Sequence, residues 1–321
     1  MSLDIASVQD QLARSYRERG CDANVATMTI VVFFDNPAIG ELARERIHRL
    51  SSKHPSRVIV LDATAPDSVH RVDGCDWIEL GAREIGPEML RAAVAALRVT
   101  EAPVVLLWIA PGIGTDPRFE SLCEDAQTIV YNSSLLDSGH GALRELVCYL
   151  DERRDLPIAD IAYLRLAPWQ ECVAIFFDGD AVGELADLER VEIACGSEPE
   201  ALYLLGWLAS RLQWTPSAPE VLVNPQGKEI VFSIDRQGEP RRIARVALSS
   251  SHSTFVAEAD ASQETILLSV SGSREHGPRY RAIENPGIAA LVERAILWGH
   301  NDRLFAASLA AAGKIIARGE G

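Results

Sequence analysis

The amino-acid sequence predicts an α/β protein in two parts: an N-terminal doubly wound domain around a parallel sheet, then an α+β domain with an antiparallel sheet. Two observations lead to this prediction. Up to about residue 158, continuous apolar runs alternate with amphipathic segments, which is typical of parallel strands covered by helices on both faces. From about residue 220, short segments are separated by polar turns, which indicates an antiparallel meander.

The first predicted element is an amphipathic helix within residues 1–26. Ile5, Val8, Leu12 and Tyr16 recur at spacings of three and four, which places them on one helical face. That apolar face must pack against something. The sequence leaves open whether it covers this chain or a partner, and self-packing is the simpler expectation.

Residues 27–158 form the predicted Rossmann-like domain. Its buried strands are predicted in the runs TMTIVVFFDN, RVIVLDA, DWIELGA, APVVLLWIA and QTIVYNSS. Helices are predicted from Pro37, over 85–98, near 117–125 and in GALRELVCYLDERR. Pro37 suits the first turn of a helix because that turn has no internal partner for an N–H group.

Residues 159–321 form the predicted α+β domain. A helix is expected over 168–178, a short strand in DLERVEIACGS and a strongly amphipathic helix in EPEALYLLGWLASRLQW. The antiparallel strands are predicted in KEIVFSIDR, RRIARVALSSS, STFVAEADA, TILLSVSG and RYRAIE. Helices at about 287–298 and 301–313 follow them.

Composition narrows the classes of function. The 321 residues are 47% hydrophobic and 24% charged, which is typical of a globular protein. The net charge of −15 disfavours binding to nucleic acid or to an anionic membrane, because like charges repel. The N-terminal residues lack the basic and apolar regions of a signal peptide, so a cytoplasmic location is expected.

The sequence predicts no catalytic residue, no cofactor and no metal site. The cysteines have no C-x-x-C spacing, and neither a phosphate-binding P-loop nor a serine-hydrolase G-x-S-x-G motif is present. Gly112 and Gly114 follow a strand, but Pro117 stands where a dinucleotide fingerprint needs its third glycine. A turn is therefore predicted there, with Asp116 as the N-cap of the next helix.

Two clusters of side chains are candidate anion-binding sites. The first comprises His54, Ser56 and Arg57, and the second comprises Arg274, His276, Arg279 and Arg281. Such groups recognise a carboxylate or a phosphate. The alternative is that they pair with acidic residues of this chain.

Cys195 is the candidate redox residue. It precedes a predicted helix, and the dipole at a helix N-terminus lowers the pKa of a nearby thiol. The alternative is a small, buried, apolar side chain.

The segment DIAYLRLAPWQE, residues 160–171, resembles a hallmark of the OpcA family of glucose-6-phosphate dehydrogenase assembly proteins. In that family an Asp-Leu-x-Trp-x-Arg-Leu-Thr-Pro-Trp-Arg run opens a helix that ends in Phe-Asp. Three further motifs that resemble the family occur in the expected order: HPSRVIVL, ALYLLGWLASRLQW and NDRLFAASL. This chain departs from the hallmark at Tyr163, Ala167 and Gln170, where the family has Trp, Thr and Arg.

The resemblance implies a non-catalytic allosteric activator. Members of the family bind glucose-6-phosphate dehydrogenase and promote its active oligomer, which supports the oxidative pentose phosphate pathway. The partner-binding residues that the resemblance implies here are Tyr163, Arg165, Pro168, Trp169 and Gln170. In photosynthetic bacteria the family is also linked to redox control by thioredoxin, which leaves thioredoxin open as a second partner and a redox-responsive adaptor as a third hypothesis. The alternative to an activator is an enzyme that binds a sugar phosphate or a nucleotide in the Rossmann-like crevice.

Overall fold

The fold is taken from a computed structural model of the chain. It describes residues 4–19, 26–51, 53–68, 70–74, 76–136, 139–153, 157–236, 242–260, 262, 264–273, 276–282, 286–298 and 302–319. The chain divides into two compact units. The first comprises 1–135, 149–161 and 287–300, and the second 136–148, 162–286 and 301–321. The division into compact units does not test the predicted domains. The domains 1–26, 27–158 and 159–321 therefore stay a prediction.

The first unit contains a seven-stranded sheet with the order β3-β4-β2-β1-β5-β6-β7 in the described residues. The strands are β1 (Met28–Phe34), β2 (Ser56–Asp62), β3 (His70–Asp73), β4 (Trp77–Gly81), β5 (Val104–Ile109), β6 (Thr128–Tyr131) and β7 (Ile158–Asp160). All of them pair in parallel except β3, which is antiparallel to β4. Because β1 and β5 are apolar along their lengths, helices are needed on both faces of the sheet.

The helices of the first unit are α1 (Ile5–Arg19), α2 (Pro37–Ser51), α3 (Pro87–Leu97), α4 (Pro117–Cys123) and α9 (Ile288–Trp298). Helix α2 packs against α9, and α3 packs against α1 and α4. The apolar face predicted for α1 does cover this chain, because Val8 and Leu12 are buried. The doubly wound, Rossmann-like α/β fold is thereby confirmed.

The second unit contains an eight-stranded sheet with the order β15-β14-β13-β12-β8-β11-β10-β9 in the described residues. The strands are β8 (Leu188–Cys195), β9 (Thr215–Ala218), β10 (Val221–Val223), β11 (Glu229–Arg236), β12 (Ile243–Ser250), β13 (Ser253–Ala259), β14 (Thr265–Gly272) and β15 (His276–Ala282). Strands β12 to β15 form the antiparallel meander predicted for them. The prediction that β11 belongs to the same meander is wrong, because β8 lies between β11 and β12 in the sheet. The sheet as a whole is mixed, because β11 pairs in parallel with β8.

The helices of the second unit are α5 (Gly139–Glu152), α6 (Ile161–Leu164), α7 (Ala167–Phe176), α8 (Glu198–Leu212) and α10 (Arg303–Gly319). Of α5 and α6, only residues 139–148 and 162–164 belong to this unit. Helix α7 confirms the helix predicted over 168–178, and α10 runs six residues beyond the predicted end at 313. Helices α8 and α10 pack closely against each other. Within the described residues, no helix has both the length and the hydropathy of a membrane span.

Candidate functional site

The first candidate site is the carboxyl edge of the parallel sheet. Doubly wound folds bind ligands where the strand order reverses, which here is between β1 and β5. A dinucleotide would place its pyrophosphate on the free backbone N–H groups at the start of the helix that follows β1. A phosphate fits here only if the residues around the start of α2 leave such N–H groups free.

The start of α2 is already capped by its own chain. The Asn36 side-chain oxygen Oδ1 accepts hydrogen bonds from the backbone N–H of Ala38 at 3.0 Å and of Ile39 at 3.4 Å. Pro37 has no N–H to offer. Of the N–H groups that would hold a phosphate, those of Ala38 and Ile39 already donate to Asn36, and position 37 has none.

Aromatic side chains fill the region where β1 and β5 run side by side. The Phe33 and Trp108 rings stack with centroids 4.1 Å apart, and Phe119 packs edge-on against Trp108. The Arg118 guanidinium lies over the Phe33 ring, 4.9 Å from its centroid. These stacked rings stabilise the unit and occupy the space with apolar surface.

A glycine in α2 serves the packing of this aromatic layer. A Cβ atom at Gly40 would lie 2.4 Å from the Phe34 ring. The third glycine of a dinucleotide fingerprint likewise allows close packing of helix and strand. Here that role is kept, while Asp35 and Pro37 stand at the positions of the first two glycines of the fingerprint.

The loop after β5 is a turn, as predicted. Gly112 and Gly114 have φ angles of 87° and 78°, and the Gly112 carbonyl accepts a hydrogen bond from Asp116 N–H at 2.8 Å. The predicted N-cap is confirmed, because Asp116 Oδ1 accepts from Arg118 N–H at 2.8 Å. Asp116 and Arg118 also form an ion pair at 2.6 Å. Taken together, the residues at this edge do not fit a dinucleotide.

The second candidate site is the segment 160–178. Tyr163 and Trp169 are each 6% exposed. The Tyr163 ring packs edge-on against Tyr203 of α8 at 5.5 Å and lies 5.2 Å from Phe305 of α10. Burial raises the pKa of the Tyr163 hydroxyl. The two aromatic residues of the hallmark therefore belong to the core of the second unit.

Arg165 is held inside the same unit. Its Nη1 lies 2.8 Å from Glu200 Oε1, and the two side chains are 16% and 3% exposed. This pair joins the segment before α7 to the first turn of α8. Glu200 was not predicted as a site residue, because a single acid in an apolar helix looks like an exposed residue when its distant partner is unknown.

Pro168 and Gln170 are half-buried at the start of α7. The Gln170 N–H donates to the Leu166 carbonyl at 2.9 Å, as in an ordinary first helical turn. These two positions and the three described above were the predicted partner-binding residues. Their role in binding a partner stays a prediction.

The first predicted anion cluster is engaged within the first unit. His54 Nε2 lies 3.1 Å from Glu293 Oε1, and Ser56 is buried with its hydroxyl donating to the His54 carbonyl at 2.6 Å. Arg57 pairs with Asp76 at 3.0 Å. These contacts correspond to the alternative in which the cluster pairs with this chain's own groups.

The second predicted anion cluster lies at the last strand of the second unit. Arg279 is exposed on β15, and Arg281 pairs with Glu171 of α7 at 2.5 Å. Arg274 and the side chain of His276 lie outside the described residues. The anion-binding role of both clusters stays a prediction. Among the described residues, no group of three or more His, Cys, Asp or Glu could hold a metal ion.

Cys195 ends β8 and is buried. Burial raises the pKa of its thiol to about 11, which is the opposite of the lowering expected from the helix that follows. Burial likewise raises the pKa of Cys172 to about 11. Cys21 and Cys75 lie outside the described residues. The redox role of Cys195 stays a prediction, but its thiol is not activated in this state.

The cysteines are expected to differ sharply in alkylation. At pH 8 a thiol with a pKa near 11 is thiolate in about one molecule in a thousand, and only the thiolate reacts. We expect iodoacetamide to modify the exposed Cys148 in the native protein and to leave Cys172 and Cys195 unmodified until urea is added. Peptide mass spectrometry measures each site. Rapid native labelling of Cys195 would instead support a redox role.

Comparison with known proteins places the second candidate site in a family. Residues 156–309 match the OpcA family model that describes the C-terminal domain of the glucose-6-phosphate dehydrogenase subunit. This part of the chain belongs to the OpcA family.

Curated relatives agree with this assignment. A protein of Synechocystis sp. named "Putative OxPP cycle protein OpcA" is 30% identical over 188 residues, which are 52% of this chain and 39% of that protein. A protein of the same name from Nostoc punctiforme is 32% identical over 148 residues, 44% of this chain and 31% of that protein. The chain thus matches well under half the length of these relatives.

Solved structures resemble the chain in fold. The 3-ketoreductase KijD10 from Actinomadura kijaniata, in complex with TDP-benzene and NADP, has a TM-score of 0.55 at 11% identity, covering 90% of this chain and 96% of that one. An aldose-aldose oxidoreductase from Caulobacter crescentus has a TM-score of 0.53 at 12% identity, covering 92% and 98%. At this identity the likeness concerns the Rossmann-like fold alone.

Within the OpcA-family segment, the hallmark residues have clear packing roles. Arg165 neutralises a buried acid, Trp169 lies in the core, and Phe177 packs against Phe255 of β13 with ring centroids 4.8 Å apart. The glycine of the Gly-Trp-Leu-Ala-Ser-Arg-Leu motif, Gly206, lies against the backbone of α10. The motifs therefore describe how α7, α8, α10 and the sheet of the second unit fit together.

Proposed function

We propose that this chain is a non-catalytic protein that binds glucose-6-phosphate dehydrogenase and promotes its active oligomer, and so supports the oxidative pentose phosphate pathway in the cytoplasm. The observation that carries the proposal is the match of residues 156–309 to a family of domains from a glucose-6-phosphate dehydrogenase subunit. The names of the curated relatives, which refer to the OxPP cycle, support the same pathway.

The carboxyl edge of the parallel sheet supports a role without catalysis. The fold neighbours include oxidoreductases solved with NADP, but here Asn36 caps α2 and the Phe33–Trp108 stack fills the neighbouring space. The chain has this fold but offers no free N–H donors for a phosphate at the start of α2. It is therefore suited to act by binding an enzyme that carries the active site.

To activate the dehydrogenase, the chain must bind the enzyme's active oligomer and its inactive form with different affinities. A protein that binds the active oligomer more tightly than the inactive form by about 1.4 kcal/mol shifts that equilibrium tenfold. With a net charge of −15, this chain is suited to a partner surface that carries basic residues. Salt is therefore expected to weaken the complex.

Co-purification with the cognate dehydrogenase tests the proposal. We expect a stable complex and a higher rate of NADP reduction when the chain is added to the enzyme. Gln170 is one of the half-buried predicted contact residues, and, provided that the unfolding midpoint is unchanged, Gln170→Ala is expected to weaken the complex about tenfold, which is about 1.4 kcal/mol. Gln226→Ala, at an exposed turn, is the matched control and leaves binding unchanged.

Two outcomes would contradict the proposal. The first is the absence of both a complex and a change of rate with the cognate dehydrogenase. The second is reduction of NADP or oxidation of NADPH by the chain alone with a sugar or sugar phosphate, which would support the alternative of an enzyme that uses the Rossmann-like crevice.

Thermal unfolding with added ligands distinguishes an activator of the dehydrogenase from an enzyme that binds a nucleotide or a sugar phosphate. A nucleotide at a hundred times its Kd would raise the free energy of unfolding by about 2.7 kcal/mol. Because the start of α2 is capped, we expect NADP, NAD and glucose 6-phosphate to leave the thermal unfolding of the chain unchanged. The same assay with reduced and oxidised thioredoxin tests whether thioredoxin is a second partner.

A further inference from the structure

The sheet of the second unit has a covered face and an open face, because side chains alternate between the two sides of each strand. Leu248 of β12 and Phe255 of β13 point to the covered face, where each is at most 1% exposed and Phe255 packs against Phe177 of α7. On the other side, Val231 of β11 and Tyr280 of β15 are 40% and 74% exposed. We call this side the open face. It carries Val231, Tyr280 and the alternate residues of the strands between them that share their side.

The middle of the open face is lined by small side chains. Ala247 of β12 lies opposite Val256 of β13, and the next pair along these two strands is Ser249 and Thr254. Side chains of this size let a second sheet approach to the spacing of about 10 Å at which sheets pack face to face. The open face is therefore suited to pack against another sheet.

The charges in the middle of the open face balance. Where β8, β12 and β13 pair, the face carries Arg190, Glu192, Arg245 and Glu258, whereas the whole chain has a net charge of −15. Two copies of an acidic chain repel each other over most of their surfaces. A face with equal numbers of positive and negative groups lets two copies approach without this repulsion.

A two-fold axis that runs along the strands between β12 and β13 makes the open face complementary to itself. Such an axis places β12 of each copy against β13 of the other, with the level along the strands unchanged. Arg245 then faces Glu258 of the second copy, and Ala247 faces its Val256. Within one chain Arg245 and Glu258 are opposite each other, yet neither forms an ion pair with a described residue.

Other two-fold axes through this face bring like charges together. An axis along β12 places Arg245 against Arg245 of the second copy. An axis across the strands at the level of Ala247 places Glu192, which pairs with Ala247 in the sheet, against Glu192 of the second copy. Like charges across an interface disfavour association, so the axis between β12 and β13 is the favoured one.

The open face is large enough for a stable dimer. It spans six strands, from β15 to β11 in the sheet order, which at about 4.8 Å each makes it about 29 Å wide. The seven residues of β13 at about 3.4 Å each make it about 24 Å long, so its area is about 700 Å². A specific interface buries about 800 Å² on each partner.

We propose that the chain forms a two-fold symmetric dimer through the open face, with Arg245 of each copy paired with Glu258 of the other. The occupant of the open face is thus a second copy of this chain. The dimer does not depend on the proposed function, because it forms without the dehydrogenase.

The mass of the full chain in solution tests the dimer. We expect sedimentation equilibrium to give twice the 35.0 kDa of one chain, with a Kd of about 1 µM or below. Arg245→Glu and Glu258→Arg each place like charges across the axis and are expected to raise this Kd about a hundredfold. Arg14→Glu, at an exposed position of α1, changes the net charge as much as Arg245→Glu does and is the control, which leaves the Kd unchanged.

Mixing the two charge variants distinguishes the proposed pairing from a loss of folding. The Arg245→Glu chain presents two acids and the Glu258→Arg chain two arginines, so the mixture is expected to form a heterodimer about as tight as the unmodified dimer. If a single variant does not fold, the double variant with both changes keeps one charge of each sign. It is expected to dimerise with itself and to form no mixed dimer with the unmodified chain.

Three results would overturn the proposal. They are a chain that stays monomeric at about a hundred times the expected Kd, a dimer that both charge variants leave intact, and a mixture of the two variants that contains no heterodimer. A monomer that binds the dehydrogenase through Arg245 or Glu258 would likewise overturn it, because the open face would then belong to that enzyme. The dimer is measured without the dehydrogenase, so the two proposals fail separately.

Discussion

Replacing Arg165 with methionine is expected to lower the free energy of unfolding of the chain by about 3 kcal/mol. Glu200, the partner of Arg165, has a side chain that is 3% exposed, and Arg165 Nη1 lies 2.8 Å from its carboxylate. Methionine keeps most of the apolar part of the arginine side chain but removes the cation. A buried carboxylate that loses its cation is costly because water cannot replace the lost interaction. Urea denaturation followed by circular dichroism measures the change.

A double variant separates this cause from lost packing. Arg165→Met combined with Glu200→Gln removes both charges, so much of the stability is expected to return. Arg71→Met serves as the control, because the ion pair of Arg71 with Asp73 is exposed on both sides and is expected to contribute less than about 1 kcal/mol. If Arg165→Met is as stable as the unmodified chain, Arg165 has no structural role and the prediction that it contacts a partner gains support.

Replacing Gly206 with alanine is expected to lower the free energy of unfolding by about 2 kcal/mol. A Cβ atom at Gly206 would lie 2.3 Å from the Ser308 carbonyl oxygen and 2.9 Å from the Ala312 nitrogen, both in the backbone of α10. The helices must therefore move apart, at a cost of about 3 kcal/mol for an overpacked contact. Alanine regains about 1 kcal/mol of helix propensity, which does not reverse the sign.

The sign of this effect makes it diagnostic. Alanine in place of a glycine inside an exposed helix stabilises a protein, so a loss at Gly206 reports the close approach of α10. Gly319→Ala, at the end of α10 with no atom within 4 Å of the added Cβ, is the control and is expected to be neutral or slightly stabilising. Equal unfolding midpoints for the two variants would contradict the packing of α8 against α10.

The packing roles of Arg165, Trp169 and Gly206 change how partner binding is best tested. Substituting a buried hallmark residue is expected to destabilise the second unit, so a lost complex would have two explanations. A half-buried residue such as Gln170 gives a cleaner result, provided that its unfolding midpoint is unchanged. The packing of a hallmark residue and its contact with a partner are separate properties.

Much of the fold follows from the sequence because its signals are local. The apolar runs of β1, β2, β4, β5 and β6 and the proline at the start of α2 identify a parallel α/β unit without any knowledge of distant contacts. The turn at Gly112 and the cap at Asp116 depend only on neighbouring residues, and both were predicted. The short strands β3, β7, β9 and β10 were not, because three or four residues carry too little periodicity.

The amino-acid sequence by itself determined the Rossmann-like class, the order of most elements and the resemblance to the OpcA family, because each of these depends on residue type and spacing along the chain. Only the tertiary structure decided that β11 runs parallel to β8, that Trp169 is buried, that Arg165 meets Glu200 and that Asn36 closes the start of α2. It also placed Arg245 opposite Glu258 on one face of the mixed sheet. A side chain's exposure and its partner depend on residues tens of positions away, and apolar or charged character alone does not say which of them it will meet.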